Sequence, residues 1–160
     1  MSLLSQSTIA KKVSFSGVGI HTGRYLHVNI LPASPNSGII FKRIDLKQNN
    51  VVIPNFANVS EATLCTTVSN QFGVKVSTIE HLMAAFFGLG VDNAIVELDG
   101  QELPILDGSA KDFIEKIKST GIKAINAPIQ IIKINQKIVV YDYERFISIQ
   151  PSTLSLDLDF

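Results

Sequence analysis

The chain has 160 residues, 14 Lys plus Arg against 14 Asp plus Glu, a formal net charge of +0 and 46% hydrophobic residues. That length and apolar content suffice for one good core and the beginning of a second. Balanced charge, no basic run longer than a pair such as Lys11-Lys12, and no aromatics interleaved with positive charge exclude nucleic acid as an expected partner.

The N-terminal MSLLSQSTIAKK places its positive charges after a short polar-apolar mixture, which does not read as a secretory signal, so the expected compartment is cytoplasmic. The single cysteine, Cys65, fits a reducing environment. Val13 and Phe15 alternate with polar neighbours and predict a half-buried strand, followed by the glycine-rich turn GVGIHTG at 17–23. In RYLHVNILP, Leu26, Val28 and Ile30 face one way and Tyr25, His27 and Asn29 the other, a sheet pattern with one wet side that Pro32 closes. Turn chemistry at 35–38 precedes a short strand at 39–41, and 64–68 and 74–76 read as two more. From Ser77 the period changes. Ile79, Leu82, Met83, Phe86 and Phe87 fall at helical spacing, with Ser77 as N-cap and Gly88 or Gly90 as the stop. The longest uncharged, mostly apolar stretch, Leu82 to Val91, is half of the roughly 20 residues a spanning helix needs, so no transmembrane segment is expected.

Ala94 to Leu98 returns to a strand, and Asp107-Gly108-Ser109 leads into a second helix through Phe113, Ile114 and Ile117, ended by Gly121. The first domain is expected to cover 1–126. Beyond Pro128 the chain reads as strands at 129–134, 137–141, 145–149 and 154–160, with no helix to cover them. Such strands leave one face unpacked, so 127–160 is expected to be a linker and the first strands of an incomplete second domain. The expected class is α+β: a two-layer α/β sandwich, a sheet backed by two helices, plus the truncated start of a second similar domain.

Glu80-His81 is the sharpest chemical feature, because an imidazole can bind zinc while an adjacent carboxylate takes a proton from the attacking water. Ser77-Thr78-Ile79-Glu80 equally fits a capping box, in which Glu80 folds back to the Ser77 amide, and local spacing leaves the two readings level. His21 lies in a glycine-bracketed turn that can present a side chain to a ligand or simply leave it solvated. His27 reads as a polar-face strand residue. Asp107 can cap the second helix, as Ser109 can, or orient a catalytic histidine. Cys65 reads as a small strand residue facing the core or a cleft.

GVGIHTG at 17–23, TLCTT at 63–67, STIEHLMAA at 77–85, GLGVDNAIVEL at 88–98 and ELPILDGSA at 102–110 occur together and in order. Across nearly all of the first 126 residues the chain thereby resembles the N-terminal half of the UDP-3-O-acyl-N-acetylglucosamine deacetylase family. The resemblance implies a cytoplasmic, zinc-dependent enzyme of lipid A biosynthesis, a metallo-amidase that removes the N-acetyl group from UDP-3-O-(3-hydroxyacyl)-N-acetylglucosamine. It implies two similar α/β domains with the active site between them, His81 as a zinc ligand and Glu80 as general base. Asp107 would hold a supporting role, and His21, Leu64 and Cys65 would lie near the substrate cleft.

The resemblance also implies two further Zn2+ ligands on a His-x-x-x-Asp helix and a histidine acid, none of which occurs up to Phe160. The expectation is a fragment that does not complete its zinc site alone and needs a separately encoded C-terminal half as partner. A single imidazole gives weak, unselective metal binding. The competing expectation is a non-catalytic remnant or interaction module with the same fold.

Overall fold

The computed structural model describes residues 4–153. The chain divides into two compact units at Ile129 and Gln130. In chain order the first unit contains strands β1 (Ser5–Ile9), β2 (Val13–Val18), β3 (Tyr25–Pro32), β4 (Ile39–Arg43) and β5 (Val51–Val52), a 3-10 turn at Phe56–Asn58, and β6 (Val59–Glu61), β7 (Thr67–Ser69) and β8 (Lys75–Val76). Helix α1 (Glu80–Leu89), strand β9 (Ala94–Leu98), helix α2 (Lys111–Thr120) and strand β10 (Ile122–Pro128) follow.

The central sheet runs β2-β3-β9-β4-β5, with β9 parallel to β4 and every other pair antiparallel. Its register puts Val13, Ile30, Val96, Phe41 and Val52 side by side in one row across all five strands. Phe15, Val28 and Leu98 form the next row. All eight are buried, because the period-2 alternation of each strand sends its apolar set to the same face. The helices close that face. Leu82, Ala85 and Phe86 of α1 join Phe113 and Ile117 of α2 in the same core, and the Phe113 ring lies 5.0 Å from that of Phe15. The Lys116 ammonium sits 5.2 Å above the other part of this contact, over the Phe15 ring. The α+β class and the two helices are thus as expected.

Both helices end where glycine permits it. Gly90 has φ 67 and donates its N–H to the Phe86 and Phe87 carbonyls, and Gly121 has φ 85. Their starts differ from expectation. Helix α1 begins at Glu80 behind Ile79, and α2 at Lys111 behind Ala110, neither with a side-chain cap bond at the boundary residue.

Several other segments depart from the sequence reading. The strand expected over 64–68 begins only at Thr67, because Leu64 has φ 63 and turns the chain, so Cys65 lies in a bend ahead of β7. Together β6, β7 and β8 form a separate three-stranded sheet. Strands β1 and β10 were not foreseen; they pair antiparallel, with Ile9 opposite Ile122. Their signal is concealed because two inward positions of β1 are polar. Gln6 bonds Asn36 and Asn93, and Thr8 bonds the Asn93 carbonyl, so burial there is satisfied by hydrogen bonds rather than by apolar side chains.

The second unit contributes an antiparallel hairpin, β11 (Ile138–Asp142) and β12 (Arg145–Ile149), joined by Tyr143-Glu144 with Tyr143 at φ 53. The strand expected over 129–134 is absent, those residues being without regular structure. The one expected at 154–160 lies outside the described residues.

Phe113 is buried between the sheet and α1, whereas Phe87 on α1 is 78% exposed. Phe113→Ala is expected to cost about 3–5 kcal/mol through lost burial and a residual cavity. Phe87→Ala should stay within about 0.5 kcal/mol. Urea unfolding of both variants measures the contrast.

Candidate functional site around Glu80 and His81

The segment before α1 is held from three sides. Ser77 forms a parallel bridge beside Glu102, donating its N–H to the Gln101 carbonyl while its own carbonyl accepts the Leu103 N–H. The Ser77 hydroxyl accepts from the Thr67 hydroxyl at 3.0 Å. The Ile79 amide reaches the Thr66 carbonyl. Between them Thr78 is buried with φ 58, a left-handed conformation that a β-branched residue adopts only under constraint.

These bonds remove one of the two readings of Glu80. A capping box needs the Ser77 amide, and that amide is already committed to Gln101. Glu80 instead turns its carboxylate to the bend before β7, where Oε2 accepts the Thr66 N–H at 2.9 Å. Its Oε1 lies 4.0 Å from His81 Nε2, with the Glu80 side chain 36% and the His81 side chain 28% exposed. A carboxylate anchored through one oxygen, with the other 4.0 Å from a partly exposed imidazole, can accept or pass on a proton there.

His21 sits in the turn between β2 and β3, which is closed by the Gly19 N–H donating to the Arg24 carbonyl and by Gly23 at φ 66 donating to the Gly19 carbonyl. The turn rests on Glu102. This side chain is fully buried; Oε1 accepts the His21 amide at 2.9 Å and the Thr78 hydroxyl at 3.2 Å, and Oε2 accepts the Thr22 amide at 2.9 Å. Gly19 is required for space rather than for φ, since a Cβ there would stand 2.4 Å from Glu102 Oε2. Burial pushes the Glu102 carboxyl up, but hydrogen bonds from Thr22, His21 and Thr78 more than offset it and hold the group below its ordinary value of 4.5.

Sequence reasoning passed over Glu102, reading it only as the first residue of the ELPILDGSA stretch. Its burial was not legible locally, since nothing in the flanking residues announces which donors would meet it. The structure links Glu102, through its bonds to the turn and to Thr78, with the start of α1, and links the bend at Thr66 to Glu80. Leu64 is 89% exposed, and Cys65 is half-buried with Sγ 3.7 Å from the Thr67 hydroxyl.

Asp107 turns its carboxylate onto Ser109, accepting both the amide and the hydroxyl, and Ser109 Oγ in turn accepts the Lys111 amide. The capping role thus falls to the pair in relay, ahead of the boundary at Ala110. The Ser109 amide and hydroxyl hold the exposed Asp107 carboxyl below its usual range. His27 is not idle: its Nδ1 lies 2.8 Å from Asp99 Oδ2, and its amide donates to Asp99 Oδ1, pinning the start of β3 to the residue after β9.

An imidazole and a carboxylate side by side have the donor chemistry that zinc accepts. Among the described residues no group of three His, Cys, Asp or Glu side chains gathers to hold a metal ion. None of their helices is long and apolar enough to cross a membrane.

The lowered Glu102 carboxyl has a definite consequence for stability. A group held below 4.5 when folded, and near it when unfolded, contributes stability that is present above that value and is lost as pH falls through the folded value. Asp45, held down by Arg43, shares the direction. The urea midpoint should therefore hold from about pH 7 to about pH 5.5 and fall progressively below about pH 4.5. Glu102→Gln should lower the midpoint at neutral pH and make the acid decline shallower, and an unchanged acid slope would remove Glu102 as a contributor.

A family model described as UDP-3-O-acyl N-acetylglycosamine deacetylase matches residues 6–160. Proteins named UDP-3-O-acyl-N-acetylglucosamine deacetylase from Pseudoalteromonas atlantica strain T6c and Shewanella baltica strain OS155 are 42% and 41% identical to the chain over 149 residues. Each comparison covers 93% of the chain and 49% of the relative, so the chain spans about half the length of the curated relatives it matches. With the family model matching nearly every residue, the chain belongs to the UDP-3-O-acyl N-acetylglycosamine deacetylase family.

Proposed function

We propose that the chain supplies the N-terminal half of the site of a cytoplasmic zinc-dependent deacetylase that removes the N-acetyl group from UDP-3-O-(3-hydroxyacyl)-N-acetylglucosamine in lipid A biosynthesis. Glu80 is its general base and His81 one zinc ligand. The observation that carries this reading is the orientation of Glu80, which leaves the helix-capping position for the Thr66 amide and stands beside His81. Family membership and the deacetylase names of the relatives support the reaction class.

Zinc, when bound, supplies Lewis-acid polarisation of the acetyl carbonyl and acidifies water. The chain's own contribution is the base. The Thr66 N–H fixes Glu80 Oε2, so Oε1 is the oxygen left to accept the proton of the attacking water. His81 follows Glu80 on the first turn of α1, so one short stretch of rigid backbone places both groups. The turn with His21 and the bend with Leu64 and Cys65 border the substrate, and Asp107 supports the site from the α2 side. In this reading the remaining zinc ligands and the acid for the departing amine are supplied by a separate C-terminal half.

Deacetylation of the UDP-sugar by the chain supplemented with a C-terminal half from a full-length relative tests the reading. Glu80→Gln should fold normally and lose turnover by about 10²-fold or more. Wild-type turnover in Glu80→Gln, or no turnover in any supplemented sample, would defeat it. Zinc gives a second readout independent of activity: the supplemented wild type should hold one zinc per complex, and His81→Ala should bind it about 100-fold more weakly. Metal analysis after dialysis against a graded chelator measures the difference, and equal retention would remove His81 as a ligand.

A further inference from the structure

No carboxylate among the described residues is as completely buried as Glu102, and none of their ion pairs includes it. An unpaired buried carboxylate is strongly destabilising unless its oxygens are fully hydrogen-bonded. A single turn could be held by a neutral acceptor. What a carboxylate adds is two acceptors on one rigid plane, and here both are used across separate segments.

Its backbone neighbours hold one segment: Gln101 accepts from Ser77 and Leu103 donates to Ser77, fixing the chain three residues ahead of the first residue of α1. Its side chain holds the other, the turn of His21 and Thr22. Oε1 joins the two, accepting from the His21 amide and the Thr78 hydroxyl together. The same pre-helix segment carries the Ile79 amide to Thr66, whose own amide binds Glu80.

We propose that Glu102 is a positioning residue of the site, tying the His21 turn to the left-handed Thr78 and so setting the start of α1 that aims Glu80 at the Thr66 amide. The effect on turnover rests on the deacetylase reading; the effect on structure does not. Glu102 touches no reacting atom and acts through backbone placement. Replacement by Gln puts an N–H₂ group against one of the amide donors, which opens the turn. Thr78→Val removes only the hydroxyl and leaves the turn bonds to His21 and Thr22 in place.

Amide hydrogen exchange and chemical shifts of the chain, with kinetics of the supplemented enzyme, test the proposal. In Glu102→Gln the His21 and Thr22 amides should exchange about tenfold faster or more, while amides pairing β3 with β9 keep their protection. Thr78→Val should leave His21 and Thr22 protected, shift the Thr66 amide resonance, and lower kcat about tenfold with KM within about twofold. Thr78→Ser, which keeps the hydroxyl, should restore the Thr66 resonance and kcat. If Thr78→Val leaves the Thr66 resonance unchanged, the proposal is overturned, and Glu102 is a turn anchor alone. Should Glu102→Gln loosen the whole sheet, Thr78→Val still decides. If the supplemented wild type turns nothing over, the deacetylase reading fails, while the Thr66 resonance continues to decide the positioning role.

Discussion

A carboxylate removed from water, with no ion-pair partner among the described residues, can persist only where donors are brought to it, and the region around Glu80 is built on that condition. The amides of His21 and Thr22 and the hydroxyl of Thr78 converge on Glu102 from two segments far apart in the chain. Gly19 leaves room for the carboxylate, and Thr78 takes a left-handed conformation with its hydroxyl in reach. Both are local costs that follow from one non-local contact.

The central sheet makes that contact affordable. Its two apolar rows, closed by Phe86, Phe113 and their neighbours on the helices, place β2, β3 and β9 rigidly, so the turn leaving β2 and the segment following β9 meet at a constant distance. Polar interactions are segregated to the margins of this core: Arg43 with Asp45 and the Lys75 carbonyl at one edge, Gln6 with Asn36 and Asn93 at another, His27 with Asp99 on the wet face. The chemistry-bearing residues are carried on the first turn of α1 and on the bends around it, where backbone amides are free to bind side chains.

Much of the sheet and both helices were legible because burial there is purely apolar. Val13, Phe15, Leu26, Val28, Ile30, Phe41, Val96 and Leu98 alternate as a one-sided sheet requires, and each helix ends at a glycine. The short strands β5 and β6 escaped, as did β1 and β10, which bury polar side chains or leave apolar ones half exposed, and no period in the sequence reveals which groups will be partnered across 85 residues or more. The supposed strand at 129–134 shows the opposite failure: its β-branched residues have propensity, yet they join none of the sheets among the described residues.

The sequence by itself determined the apolar framework and, through five ordered motifs, the family and the identity of Glu80 and His81 as the residues to watch. It could not determine what Glu80 does, because a capping box and an anchored base share the same spacing at the start of a helix. Tertiary structure removed the capping box by committing the Ser77 amide to Gln101 and turning Glu80 to the Thr66 amide instead. It also exposed Glu102, whose role exists only once the β2–β3 turn and the approach to α1 are in contact. Hydrogen bonds between distant segments have no period and no spacing, so they are settled by the fold and not by the chain's local pattern.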